Sequence, residues 1–356
     1  MHIAIIADAV DNQKAGIHTY TKNLIEGLIH FDKKNKYTFV HTEKNEFFKG
    51  QNEIIIKTKG WIYEFYRKFV LLPQEINRIK PDIVIEPAHF GPFRIKNPIK
   101  TITIIHDLTN YIKPEFHTFK TNLVHKTFLP LVIKKSDFLI TPSENTKHDL
   151  KKIFGRTKNI FTLAPGIKEI KNKDNSPLIK GEYMLNIGTL EPRKNIEMLI
   201  DAFLELKKEK KISHRLVLAG KAGWKNKKIL KKLKHKDIIW RSFVTEKEKS
   251  NLIKFADIFI YPSHYEGFGI PPVEALSLGI PTICSTGGSL KEIFSKITFM
   301  HDPKDKNALK KHILTLIKNS TEKENFKKTG PNFAQKFTIK KQTENFLKIL
   351  KIIQKS

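Results

Sequence analysis

The chain has a single cysteine in 356 residues, Cys284, so no intramolecular disulfide can form and no site built from cysteines alone can hold a metal. Cysteine used this sparingly suits a reducing compartment. Acidic side chains are scarce too: 36 Asp and Glu stand against 65 Lys and Arg, a formal net charge of +29. That excess admits nucleic acid, an anionic membrane or small phosphorylated substrates as partners, and it is equally what a lysine-heavy composition leaves on a solvated surface. No stretch approaches the roughly 20 apolar residues that a membrane-spanning helix needs. The opening MHIAIIADAVDN has an apolar run too short for a secretory signal and reads as a strand. The expectation is a cytoplasmic protein, free or peripheral at the inner face of a membrane.

What is present is an alternation of short apolar runs with amphipathic stretches. Runs at 3–8, 37–40, 53–57, 81–87, 101–107 and 138–143 are continuous and β-branched, as strands buried on both faces are. Between them 17–30 repeats Tyr20, Leu24 and Leu28 on one helical face. The pattern pauses in GIKEIKNKDNSPLIKGEY (166–183), read as a linker, and resumes with strands at 183–188, 214–220, 237–243, 257–263, 281–285 and 297–301. Helices are expected near 195–209, 246–255, 272–278 and 305–318. The fold class is therefore α/β, with two Rossmann-like doubly wound domains, 1–168 and 169–337, facing a central cleft at the carboxyl ends of their strands. A closing helix from Thr338, apolar at Phe346, Leu347, Ile349, Leu350 and Ile353, is expected to pack back on the first domain.

The stretch HYEGFGIPPVEALSLGIP (264–281) sets two acids, Glu266 and Glu274, around glycines and prolines. Glu266 falls just past a strand, where such sheets bind ligands. Gly267 and Gly269 let backbone N–H groups approach a ligand, Pro271 and Pro272 suit the first turn of a helix, and Glu274 is expected in that turn. Carboxylates accept hydrogen bonds from hydroxyl pairs and a helix N-terminus attracts phosphate, so a sugar or ribose phosphate fits. The plain alternative makes Glu274 a complement to its helix dipole and Glu266 a solvated loop acid. Arg193 and Lys194 stand before a helix start, where cations oppose the dipole, which hints at an anionic ligand.

The segment SHYEGFGIPPVEALSLGIPTICSTGGSLKEI (263–293) resembles the nucleotide-binding signature of retaining glycosyltransferases of family 4, two glutamates separated by seven residues. LNIGTLEPRKNIEMLIDAF (185–203) is similar to the family's donor-phosphate segment, LVLAGKAGW (216–224) to its following strand and loop, and HDPKD (301–305) to the stretch after its last motif. DNQKAGIHTYTKNLIEGL (11–28), IIHDLTNYIKPEF (104–116) and ITPSENTKHDL (140–150) resemble its glycine-loop, histidine and serine segments. The resemblance implies the GT-B fold and a nucleotide-diphosphate sugar as donor substrate. It implies that Glu274 holds the ribose hydroxyls and Glu266 the donor sugar, beside the backbone of Gly267, Phe268, Gly269 and Ile270. Arg193 and Lys194 would neutralise the leaving diphosphate next to Gly188 and Thr189, Gly16 would approach the phosphates, and His106 would meet the donor sugar. Many members carry arginine where Thr189 follows Gly188, and Arg193 is expected to substitute for that contact. Asp8, Asn12 and Lys14 read as ordinary loop residues, and His89, Glu115 and Glu144 as lesser candidates for acceptor contacts.

No Asp-x-Asp pair, HExxH or GxxxxGK[ST] motif occurs, so no metal or other cofactor is expected. EPRKN and HDL resemble bacterial mannosyltransferases of polysaccharide assembly, which implies transfer of mannose from GDP-mannose to a glycan or lipid-linked acceptor. Transfer of a UDP-hexose or UDP-N-acetylhexosamine is the alternative within the family, and a catalytically silent nucleotide-sugar-binding protein the alternative outside it. Nucleic acid is not expected as a partner, since no recognition motif accompanies the charge. The stretch 61–80, aromatic and basic, is either an interfacial helix or a buried one broken near Pro73.

Overall fold

The computed structural model describes residues 1–11, 15–170 and 176–356, without the side chains of Ala15 and Trp61. Asn12, Lys14 and the middle of the linker, 171–175, lie outside the described residues. The chain divides into two compact units: Met1–Ile112, Phe119–Gly166 and Ile339–Ser356 form one, and Lys113–Thr118 with Ile167–Thr338 the other.

The first unit holds β1 (His2–Ile6), β2 (Lys36–His41), β3 (Glu53–Ile55), β4 (Ile83–Glu86), β5 (Lys100–Ile104), β6 (Phe138–Thr141) and β7 (Ile160–Thr162). They form one parallel sheet in the order β3-β2-β1-β4-β5-β6-β7. β1 lies between β2 and β4, and its alternate residues enter two separate cores, Ile3 and Ile5 one and Ala4 and Ile6 the other, so both faces are covered and the apolar run is unbroken. One face is closed by the helices Ala15–Phe31 and Ile339–Lys355, whose Tyr20, Leu24, Leu28, Phe346, Ile349, Leu350 and Ile353 share a core with Ile3 and Ile5. These helices touch so closely that a Cβ at Gly27 would fall 2.0 Å from Thr343 Oγ1.

The stretch 61–80 is not broken at Pro73. Gly60–Tyr66 runs into a π-helical turn, Arg67–Leu71, and on into Leu72–Ile79, so the missing proline N–H falls where the ladder has already shifted register. The turn sinks Arg67 completely, and its guanidinium grips Asp8 with two hydrogen bonds of 2.6 and 2.7 Å. Asp8 is thus a buried ion-pair partner in the short helix Asp8–Asp11, not a loop residue.

The second unit holds β8 (Tyr183–Ile187), β9 (Arg215–Ala219), β10 (Ile238–Arg241), β11 (Ile258–Tyr261), β12 (Thr282–Ser285) and β13 (Phe299–His301), all parallel in the order β10-β9-β8-β11-β12-β13. Helices Ile196–Lys208, Glu246–Lys254 and Lys306–Lys318 begin and end close to their expected positions. The helix after β11 is Ile270–Ser277, two residues earlier than read from the prolines, so Glu274 lies in its second turn. Both prolines still occupy the first turn, where backbone N–H groups have no helical partner to lose. Among the described residues no helix is long and apolar enough to cross a membrane.

Candidate functional site

In the second sheet the strand order reverses between β8 and β11, the place where doubly wound sheets open a crevice beyond their carboxyl ends. Gly220, at the end of β9, has φ +148, and a Cβ there would lie 2.1 Å from the Gly188 carbonyl oxygen, so only glycine lets these strand ends close up. The loops after β8 and β11 are stitched together. His264 N–H donates to the Arg193 carbonyl (2.8 Å), and Asn195 Nδ2 donates to the carbonyls of Pro262 (3.1 Å) and Pro303 (2.7 Å).

This stitching brings Arg193 and Lys194 onto Glu266. Arg193 Nη1 donates to Glu266 Oε2 and Lys194 Nζ to Oε1, each at 2.7 Å. Arg193 Nη1 also reaches the Tyr265 carbonyl (3.0 Å), its Nε donates to Glu191 Oε1 (3.0 Å), and Lys194 Nζ donates to the Tyr261 hydroxyl (2.8 Å). Glu266 is 6% exposed. Burial alone would raise its pKa, but Arg193 and Lys194 outweigh that and hold the carboxyl below its usual range. Burial likewise draws Lys194 below its usual range, against the attraction of Glu266. Glu191, also buried, is pushed up by desolvation despite Arg193 and Lys194. Two cations and two acids thus share one largely buried cluster, and the aliphatic stem of Lys194 lies along Gly188. A lysine spending two of its three N–H donors here keeps one for an anion.

Glu274 makes its polar contact elsewhere. Its Oε1 accepts from Lys249 Nζ (2.8 Å), and Lys249 also pairs with Glu246 (2.9 Å). Burial lifts the Glu274 carboxyl above its usual range against the pull of Lys249. Burial would strip the proton from Lys249, yet Glu274 and Glu246 together hold its pKa above the usual range. Gly269 has φ +115, and a Cβ there would lie 2.9 Å from Leu290 Cδ2, so its want of a side chain is used up by packing as well as by conformation. Phe268 is buried edge-on to Phe337, and Ile270 opens the helix. Thr189 bonds no cation, but a Cβ at Gly223 would meet its Cγ2 at 2.8 Å, so this loop packs on the one after β9.

Sequence reasoning missed three members. Glu191 carries a local signal, an acid two residues before Arg193. Tyr261 and Lys249 carry none, because strand register and a separate helix bring them in.

Gly16 and His106 belong to the first unit. Gly16 is exposed at the start of Ala15–Phe31, and a Cβ there would meet nothing within 4 Å. His106 follows β5; its Nε2 lies 2.7 Å from the Pro87 carbonyl, which can only accept, so Nε2 carries the proton and Nδ1 the lone pair of the neutral ring. Burial lowers its pKa. Its ring stands edge-on to Tyr20 at 4.9 Å and 5.3 Å from that of His89, which in turn lies 5.8 Å from His125. His89 is buried with φ +68, and desolvation, with His106 and His125 adding to it, holds its pKa well below the usual range. Glu144 bonds the Thr162 hydroxyl (2.5 Å) at the start of a helix, and Glu115 lies in the loop that groups with the second unit.

Residues 167–333 match the family described as "Glycosyl transferases group 1". The chain is 26% identical over 295 residues to O-antigen chain mannosyltransferase B of Escherichia coli, which covers 75% of this chain and 73% of that one. It is 27% identical over 267 residues to the serotype-specific mannosyltransferase WbdA of the same organism; this covers 65% of the chain but 32% of that longer protein. Among solved structures, Anabaena HepE in complex with UDP-glucose superposes with a TM-score of 0.78 over 100% of both chains at 15% identity, a likeness of fold.

Proposed function

We propose that the chain, which has the GT-B fold and matches the group 1 glycosyltransferases over residues 167–333, is a retaining, metal-independent enzyme of family 4 that moves mannose from GDP-mannose to a glycan or lipid-linked acceptor in cell-surface polysaccharide assembly. The observation that carries the donor half is Glu266 clamped between Arg193 and Lys194 at the reversal of strand order. Departure of a nucleotide diphosphate develops charge on the β-phosphate, and fixed cations in a dry pocket stabilise it without reorganising. The same cations do what a metal does in other enzymes. In this reading Glu266 orients the donor sugar, and Glu274, steadied by Lys249, accepts from the ribose hydroxyls. His106 of the first unit has a neutral Nδ1 that can accept from a sugar hydroxyl. The leaving diphosphate takes the acceptor's proton on the face it departs from, so no side chain need act as base.

The test is thermal stabilisation by a panel of GDP- and UDP-sugars, repeated with Glu274→Ala. GDP-mannose is expected to raise the melting temperature and the substitution to remove most of the gain. A response to UDP-sugars alone moves the donor assignment, and no response to either class sinks it.

One relative named above is an O-antigen chain mannosyltransferase, and a lipid-linked acceptor places the enzyme at an anionic membrane face. The helix Phe119–Lys135 fits that place. Its inner face buries Leu129, Val132 and Ile133, while Phe119, Leu123 and Leu131 are 83%, 54% and 46% exposed among Lys120, Lys126 and Lys134. Co-sedimentation with phosphatidylglycerol vesicles is expected at low salt, weakened by Leu123→Ser. Equal recovery with neutral vesicles would remove this part of the reading.

A further inference from the structure

At the ends of the second sheet opposite the donor loops, the residue immediately before each of three strands carries a metal-ligating side chain: Glu182 before β8, His214 before β9 and Asp257 before β11. β9, β8 and β11 are consecutive neighbours in the sheet, so the three side chains meet at one edge. One ligand atom from each lies within 4.8 Å of the others, and His214 Nε2 is 3.9 Å from Glu182 Oε2. A separate observation concerns the imidazole: His214 is 3% exposed, and among the described residues neither of its ring nitrogens has a hydrogen-bond partner. A buried imidazole with both nitrogens unmet is uncommon, because desolvation is suffered without return. Sugar transfer at the far end of these strands makes no use of it.

We propose that Glu182, His214 and Asp257 bind one divalent transition-metal ion, Zn2+ foremost, which ties three strand starts together and takes no part in the transfer reaction. One imidazole with two carboxylates is a borderline nitrogen and oxygen set of the kind Zn2+ accepts, and the two acids neutralise the ion's charge. Asp257 is already oriented, since Tyr183 N–H donates to its Oδ2 (3.0 Å), an outer contact of the kind that fixes carboxylates at metal sites. Two ammonium groups, those of Lys323 and Lys207, stand near His214, against the carboxylates of Asp257 and Glu182. Lys207 opposes a second cation only partly, since its ammonium is turned to the carbonyls of Ser213 (3.0 Å) and His214 (3.3 Å) and pairs with Asp237 (3.6 Å). Neighbouring ligands around tetrahedral zinc stand about 3.4 Å apart. The exposed Glu182 side chain is free to supply that closure by rotating inward, and it leaves a coordination position open to water.

The full chain, untagged and freed of metal by chelator, is titrated with Zn2+ without nucleotide. The expected result is saturable binding of one ion per chain with a rise in melting temperature, and a visible absorption band when Co2+ replaces Zn2+. Glu182→Gln, an exposed substitution that leaves the metal-free melting temperature and sugar transfer unchanged, is expected to weaken binding about 10- to 100-fold. His214→Asn is expected to abolish the Co2+ band. Absence of a one-to-one complex, or equal affinity in wild type and Glu182→Gln, overturns the proposal whatever the donor assignment, which stands on other residues.

Discussion

The last residue of β4 in the first unit is Glu86, and five residues beyond the equivalent strand of the second, β11, is Glu266. Both carboxyls are buried, yet their acidities diverge. Glu86 is pushed up to about 7 by desolvation, with Lys68 too weak to offset it and Asp8 adding to it, whereas Glu266 is held below the usual range. The difference lies in where the cations are spent. Arg67, the guanidinium nearest in chemistry to Arg193, is consumed by two hydrogen bonds to Asp8, and the hydrogen bond found at Glu86 is from the Ala88 N–H (2.9 Å). Glu266 has two cations at 2.7 Å. Around the first unit's strand ends stand the histidines His89 and His106, with pKa values lowered by burial, and a carboxyl that is half protonated near neutrality. One sheet end thus keeps its buried carboxyl ionised and the other holds its own partly protonated, although the strand orders correspond.

Removing a cation from the second unit breaks this contrast with the largest effect. Lys194→Ala leaves Glu266 with Arg193 alone and takes away the ammonium that bridges it to Tyr261. By analogy with the loss of one preorganised donor to developing charge, kcat/KM for donor turnover is expected to fall about 100- to 1000-fold. Most of the loss should appear in kcat, because the charge develops after binding. A fall confined to KM would make Lys194 a ground-state contact only.

Glu86→Gln sharpens the comparison from the other side. The folded-state pKa of about 7 lies above the usual carboxyl value, so the fold binds an extra proton between the two; its stability is intact in acid and declines as pH rises through 7. The substitution keeps a carbonyl for the Ala88 N–H and cannot ionise. It is expected to stabilise the first unit at pH 8 by about 3 kcal/mol and at pH 4 by almost nothing. Hydrogen exchange of the β1 and β4 amides at both pH values reads this out. A difference independent of pH would mean that Glu86 is not strained by ionising.

How far these features could be read from the sequence follows from how local each one is. The six apolar runs read as strands in each half are all strands, most of them buried, whereas the edge strand Ile160–Thr162 offers only two apolar residues and a threonine and does not read as one. The helix Phe119–Lys135 was missed because it is apolar on both faces and contains Pro130, which erases the 3.6-residue period. The pairing of Glu266 with Arg193 and Lys194 bridges 73 and 72 residues through a strand-order reversal, and only the family resemblance suggested it. Lys249 reaches Glu274 from a neighbouring helix that reads simply as amphipathic, and no motif announces a partner. The triad Glu182, His214 and Asp257 is invisible for the same reason, being assembled wholly by sheet order.

The smallest effect concerns an acid of the first unit held by several donors at once, Asp11. Its carboxylate accepts from His41 Nδ1 (3.2 Å to Oδ2), Thr42 N–H (2.8 Å), Thr42 Oγ1 (2.8 Å) and Asn45 Nδ2 (3.2 Å). Burial would raise its pKa, but His41 and these donors bring it to about 2. A depressed pKa gives stability that is present above the unfolded value near 4 and is lost as pH falls toward 2, here about 2 kcal/mol. His41 has the opposite sign: burial lowers its pKa, but Asp11 and Glu53 raise it above the usual value, so its share is present in mild acid and lost as pH rises through that raised pKa. Asp11→Asn should therefore flatten both limbs of the first unit's stability profile, the acid limb through its own charge and the neutral limb through His41. Substituting either cation beside Glu266, in the other unit, should leave the first unit's neutral limb untouched. A neutral limb that survives Asp11→Asn undiminished would assign it to Glu86 alone, whose raised pKa has the same sign.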